Sequence, residues 1–271
     1  MVTNISTVLI TIALVLALTH ASLCIVLTNY GEGLHMQYEQ PSDIPTYTTI
    51  LLILGLLYNL CQMFIKLSYL TLYLRHAITT AAKSVVYFLM ALVSAFGIAT
   101  SITSMALCIP NEKLWTPDLP GRCINIKAYY ISATALNIFF DLIIFILPIP
   151  TLWTLRLPKS QRIGLVGVFG VGLIVIIASI FRLQTTVSLL DTPACSSHPY
   201  LFLRKPLTRN TDLTDNTWDT VNTLDWSAVE IHVALLVSCT AAFKALIQRY
   251  FPRLLGRPSR TWTYGASHST T

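Results

Sequence analysis

The chain has 271 residues, of which 54% are hydrophobic and 11% charged. Soluble domains carry about 25% charged residues, so this composition excludes a water-soluble domain, and no polar stretch is long enough to fold as a second one. The formal net charge is +6, but the basic residues sit at span ends and on the tail. That directs them to anionic lipid headgroups or a cytosolic protein and away from nucleic acid.

Six apolar stretches, roughly 5–28, 47–74, 84–108, 128–153, 163–186 and 226–248, each reach the ~20 residues a helix needs to cross the hydrocarbon core. The expected fold is an all-α transmembrane helix bundle of six spans. The loops between them alternate in charge. Glu32, Glu39, Asp43, Glu112, Asp118, Asp191, Asp212, Asp215, Asp219 and Asp225 all fall in the loops at 29–46, 109–127 and 187–225. The other side receives Arg75, Lys83, Arg156, Lys159, Arg162, Lys244, Arg249, Arg253, Arg257 and Arg260, with no acid among them. Basic loops stay cytoplasmic, so both termini are expected in the cytosol and the acidic loops outside, in the plasma membrane or an endomembrane.

The first span is uncharged. It lacks a basic leader and a small-residue cleavage pattern ahead of Asn29, which favours a retained helix over a signal peptide. Gly31-Glu32-Gly33-Leu34-His35 then reads as a capping turn at the interface. In the second span Asn59, Gln62, Lys66 and Tyr69 fall on one stripe at steps of three and four. Such a stripe faces the bundle or a wet cavity rather than lipid. Lys66 has two readings: its stem snorkels to the nearby end, or it meets a buried anion.

Cys108 and Cys123 bracket the second acidic loop, which holds Pro110, Pro117 and Pro120. Facing an oxidising space, they are expected to form a disulfide, with Cys195 as the competing partner. Cys24, Cys61 and Cys239 lie inside spans as small buried groups. The fourth span carries Asn137 and Asp141. An unpaired carboxylate at mid-span costs about 2.5–3.5 kcal/mol, so Asp141 needs a cation, a proton or a wet pocket. Residue counting puts Lys66 about 9 Å deeper than Asp141, a gap that a lysine stem and helix tilt can close. The alternative is that Asp141 is protonated or bonded to Asn137 while Lys66 snorkels. Pro148 and Pro150 should bend or end that span. Gly164, Gly167, Gly170 and Gly172 open the fifth span as a packing face. Arg182 near its end and Glu230 one turn inside the sixth span sit at matched depth and are expected to pair.

These residues resemble the fungal rhodopsin-like integral membrane proteins, a family that takes in the Pth-type orphan receptors and the membrane proteins of satratoxin-type gene clusters. The likeness runs from Gly31-Glu-Gly-Leu-His35 through Lys66-Leu-Ser68, Tyr73-Leu-Arg75, Cys108-Ile-Pro110, Trp115 and Cys123. It continues with Asp141, Leu147-Pro148-Ile149-Pro150, Arg182, Asp215, Trp226 and Glu230, ending at Arg253. It sets an expected transmembrane domain at 1–253 and a basic, polar cytoplasmic tail at 254–271. Family members look like seven-span proteins with an outward N-terminus, so the resemblance implies that a span before 5–28 is missing. Their last span carries prolines where this chain has Ala241 and Ala245.

The resemblance implies a receptor-like protein that senses an unidentified small-molecule ligand, entering from outside between helices near Arg182, Glu230 and the disulfide-held loop, and meets a transducer at its basic turns and tail. The alternative is a membrane component or carrier of a secondary-metabolite pathway, with Lys66 and Asp141 lining the path. Transporters often show inverted repeats of broken helices, and none is visible here. A retinal Schiff base needs a lysine at mid-span in the last helix, and Lys244 lies near its end. No GxSxG, HExxH or P-loop pattern is present, so neither an enzyme nor a cofactor is expected.

Overall fold

The computed structural model describes residues 2–30, 32, 44–76, 79–116, 119–149, 159–191 and 216–250. These form an all-α bundle of six long helices: α1 (Val2–Thr28), α2 (Ile44–His76), α3 (Thr80–Met105), α4 (Ile126–Ile146), α5 (Lys159–Asp191) and α6 (Asn216–Tyr250). Among the described residues, five stretches are long and apolar enough to cross a membrane: Ile5–Thr28, Ile44–Leu74, Thr80–Met105, Ile126–Ile146 and Gly170–Ser188. Val15, Leu18, Ile25, Phe88, Ile102 and Leu236 point outward and are exposed. A bilayer, not water, is the solvent that such a surface requires. The expected cysteine competitor Cys195, the turn at 33–35, Pro150 and the tail lie outside the described residues.

Local chemistry sets the helix ends. Pro45 occupies the first turn of α2, where its missing N–H is not needed. Thr79 and Asn125 cap α3 and α4 by accepting from the Ala82 and Ala128 amides, at 3.2 and 3.0 Å. α3 stops at Met105, earlier than the apolar run suggested, because Leu107 and Cys108 turn into a hairpin. α4 stops at Ile146, short of the expected 153, just ahead of Pro148, which has no N–H to continue the ladder. The Leu147 carbonyl at that break accepts from the Tyr73 hydroxyl at 3.2 Å.

α2 runs through the middle of the bundle and touches α1, α3, α4 and α6. Ala13 and Ala17 on α1 let that helix settle against Tyr58, Cys61 and Ile65 of α2 and Ile231 and Ala234 of α6. Small residues allow such close approach, which van der Waals contact then rewards. Leu70 of α2 packs with Val86, Leu89 and Val93 of α3 and Phe140 of α4. Gly97 brings α3 so close that an added Cβ would lie 2.7 Å from Met63 Cγ. The expected glycine face of α5 is only partly a packing face. A Cβ on Gly172 would meet Phe145 at 3.2 Å, whereas one on Gly170 would meet nothing within 4 Å.

Between α3 and α4, β1 (Cys108–Ile109) pairs antiparallel with β2 (Arg122–Cys123), and a Cys108–Cys123 disulfide spans a separation of 15 residues. Gly121 is required there, since its Cβ would sit 2.5 Å from the Ile109 carbonyl oxygen. Asn111 donates to the Met105 carbonyl at 3.0 Å, tying the hairpin to the end of α3, and Lys113 donates to the Gly121 carbonyl at 2.7 Å across the hairpin itself. At the same end of the bundle, Leu27 of α1 packs with Tyr47, Ile50 and Leu54 of α2, and the Tyr47 hydroxyl donates to Glu32.

Candidate functional site

The polar stripe of α2 faces inward, and its members meet three other helices. Asn59 donates to Ser104 of α3 at 2.9 Å, Gln62 to Glu230 of α6 at 2.8 Å, and Tyr69 to the Ala234 carbonyl at 2.9 Å. Lys66 turns to α4: its Nζ lies 2.9 Å from Asp141 Oδ1 and 2.7 Å from Asn137 Oδ1. The lysine is 5% exposed, so it is a buried partner and not a snorkelling cation.

Glu230 has no exposed surface. Its Oε2 lies 2.9 Å from Arg182 Nε and accepts from the Tyr58 hydroxyl at 3.0 Å. Its Oε1 accepts from Gln62 at 2.8 Å, Asn137 at 3.0 Å and Ser179 at 2.9 Å. A carboxylate has about four lone-pair sites, so this one is saturated by groups from three other helices. The Arg182 guanidinium carbon also lies 4.3 Å over the Tyr58 ring, a cation–π contact that counts for more away from water.

Sequence reasoning treated Lys66–Asp141 and Arg182–Glu230 as separate pairs at different depths. The structure joins them. Asn137 accepts from Lys66 and donates to Glu230, with Asp141 Oδ2 at 3.4 Å from its amide. The two cations and two anions thus form one neutral cluster linking α2, α4, α5 and α6. Burial of this kind is tolerable in a bilayer only when each charge is paired and hydrogen-bonded. The roles of Tyr58 and Ser179 were missed. Tyr58 lies one position before the stripe and breaks the apolar run, a signal the stripe pattern passes over, while a lone serine such as Ser179 gives no signal in a span.

Above the cluster, toward the hairpin end, lies a cavity of about 190 Å³. Tyr58, Asn137 and Arg182 form its floor, and Leu51, Leu54, Phe96, Ile126 and Tyr130 much of its apolar wall. Leu107 and Leu114 from the disulfide-clamped segment contribute to its rim. Lys66, Asp141 and Glu230 lie behind the floor and do not line it. On one wall Asn59 donates to Ser104, Ser104 to the Tyr129 hydroxyl at 2.7 Å, and Tyr129 to the Thr100 carbonyl at 2.8 Å. Among the described residues, no group of three His, Cys, Asp or Glu side chains is placed to hold a metal. Chemically, the arrangement suits binding.

The Fungal rhodopsin domain model matches residues 3–249. A SAT4 family membrane protein of Emericella nidulans is 27% identical over 254 residues, which cover 92% of this chain and 59% of that protein. Fugralins biosynthesis cluster protein 2 of Gibberella zeae is 30% identical over 165 residues, 58% of this chain and 41% of that protein. Satratoxin biosynthesis SC1 cluster protein 4 of Stachybotrys chartarum is 35% identical over 120 residues, 43% of this chain and 44% of that protein. The chain therefore spans about half the length of the curated relatives it matches. No solved structure matches it.

Proposed function

The chain belongs to the fungal rhodopsin domain family, and from that premise we propose that it is a receptor-like membrane protein binding a small molecule in the cavity at its hairpin end. The observation that carries this reading is the cavity itself, walled by apolar side chains and floored by the buried Arg182. Pockets with apolar walls and a few convergent polar groups are the usual form of a ligand site. The hairpin end faces outward in this reading, because Glu32 and Glu112 lie there while Arg75 and Lys83 lie opposite. A ligand pressing on Arg182 would act on Glu230 and, through Asn137, on Lys66 and Asp141. The cluster can thereby pass a local change among four helices toward the basic turns that meet a transducer. No catalytic role is assigned.

A carrier or accessory membrane component of a secondary-metabolite pathway is the second reading, favoured by two relatives that are cluster proteins by name. Against the carrier form, Lys66 and Asp141 are spent on each other behind the floor, so they offer no lining for a path.

Gly55 supplies the test. It lines the cavity, and a Cβ there would meet nothing within 4 Å. Gly55→Leu should fill the site without disturbing the bundle. Mass spectrometry of small molecules retained by the purified protein from culture extract should find a compound that Gly55→Leu does not retain. Equal retention by the two proteins would refute the reading.

A further inference from the structure

The hydroxyls around the cavity have mostly spent their protons. Thr186 donates to the Arg182 carbonyl at 2.7 Å, Ser227 to the Thr223 carbonyl at 2.7 Å, and Thr48 to the Ile44 carbonyl at 2.8 Å. Arg182 differs. Its Nε lies 2.9 Å from Glu230 Oε2 without hydrogen-bond geometry and its plane lies on Tyr58, and no nitrogen of the guanidinium makes a hydrogen bond among the described residues. The side chain is only 10% exposed, and what remains open faces the cavity it floors. A buried guanidinium fork without acceptors calls for an oxygen.

Size and charge narrow the class. An apolar cavity of about 150 Å³ admits benzene, so one of about 190 Å³ suits a molecule of single-ring size. Lys66 balances Asp141 and Arg182 balances Glu230. An anionic ligand would therefore add a net charge to a site inside the bilayer, where uncompensated charge is costly. Building on the reading of the cavity as a ligand site, we infer that its occupant is an uncharged, largely apolar, ring-sized molecule whose carbonyl oxygen accepts from the terminal nitrogens of Arg182.

Three probes of one size separate the features: para-fluoroacetophenone, para-fluoroethylbenzene and para-fluorobenzoate. Binding is read by fluorine NMR on purified protein in nanodiscs, as the excess over Gly55→Leu protein, which subtracts partition into lipid. One hydrogen bond to a charged donor predicts that the ketone binds at least about tenfold more tightly than ethylbenzene. Benzoate should bind at least about tenfold more weakly than the ketone. Arg182→Ala leaves Glu230 without its cation and can fail to fold. Arg182→Lys keeps that charge but lacks the fork. It should bind ethylbenzene as before while the preference for the ketone falls below about threefold.

Equal binding of ketone and ethylbenzene, or an unchanged preference in Arg182→Lys, overturns the inference but leaves the cavity as a binding site. Tighter binding of benzoate overturns the requirement for an uncharged ligand. Absence of excess binding for all three overturns both the inference and the proposed site.

Discussion

Replacing Lys66 by Gln leaves Asp141 facing an amide inside the bundle, and replacing Asp141 by Asn strands the lysine. At the observed 2.9 Å and an effective dielectric of about 20, the attraction between the two is about 6 kcal/mol. Desolvation of the two ions offsets a comparable amount, so the intact pair is close to neutral for stability. Either single change removes the attraction and keeps one desolvation cost, for a loss of about 3–5 kcal/mol. In a domain of this size that lowers the melting midpoint by roughly 6–20 °C. The double variant removes both charges and leaves two amides beside Asn137, which can bond to one another. It should regain most of the loss. The assay is thermal stability of the purified protein by fluorescence-detected gel filtration, with surface expression as the cellular counterpart. Strictly additive losses in the double variant would show that the observed contact carries no coupling and would refute the reasoning.

Three further outcomes follow from packing and covalent structure. Gly97→Ala should cost about 1–3 kcal/mol, because its Cβ falls 2.7–2.8 Å from the Met63 side chain, and Met63→Ala should restore much of it. By contrast Gly55→Ala, with open space around it, should raise stability by about 0.5–1 kcal/mol through helix propensity alone. The same thermal assay reads both, and equal effects at the two glycines would contradict the helix spacing. Alkylation without reductant should leave Cys108 and Cys123 unlabelled, and Cys108→Ser should lower stability by about 3 kcal/mol, the chain-entropy value for a loop of ~15 residues. For orientation, a tag after Thr271 should be reachable only after permeabilisation, while one inserted in the 187–225 loop should be reachable on intact cells; the opposite pattern would invert the proposed topology.

The spans were legible because an apolar stretch of membrane length has few alternative folds, and the charge pattern of the loops divided them cleanly. Charged residues within spans were equally conspicuous, which is how Lys66, Asp141, Arg182 and Glu230 came forward. Their common environment was not legible. Counting residues from span midpoints treats helices as upright and equal in length, yet α2 begins at Ile44 and α4 ends at Ile146. The estimated 9 Å offset between Lys66 and Asp141 rested on that assumption, and the lysine reaches Asn137 and Asp141 directly. Asn137 was noted only as a local partner for Asp141, because sequence cannot reveal that its amide spans two ion pairs. The cavity is a product of helix spacing, and its apolar wall residues, such as Leu51, Leu54 and Ile126, read in the sequence as ordinary apolar helix. Gly170 is the converse case, a small residue in a promising pattern that meets no neighbour.

The most direct measurement sets signalling against transport in one cell line. The compound retained by the purified protein is supplied in labelled form, and G-protein activation and uptake are followed together in the native protein and in Gly55→Leu. Activation without uptake, abolished when Leu fills the cavity, is the result expected of a receptor whose site ends at the Arg182 floor. Uptake without activation would contradict that account and establish the carrier reading in its place.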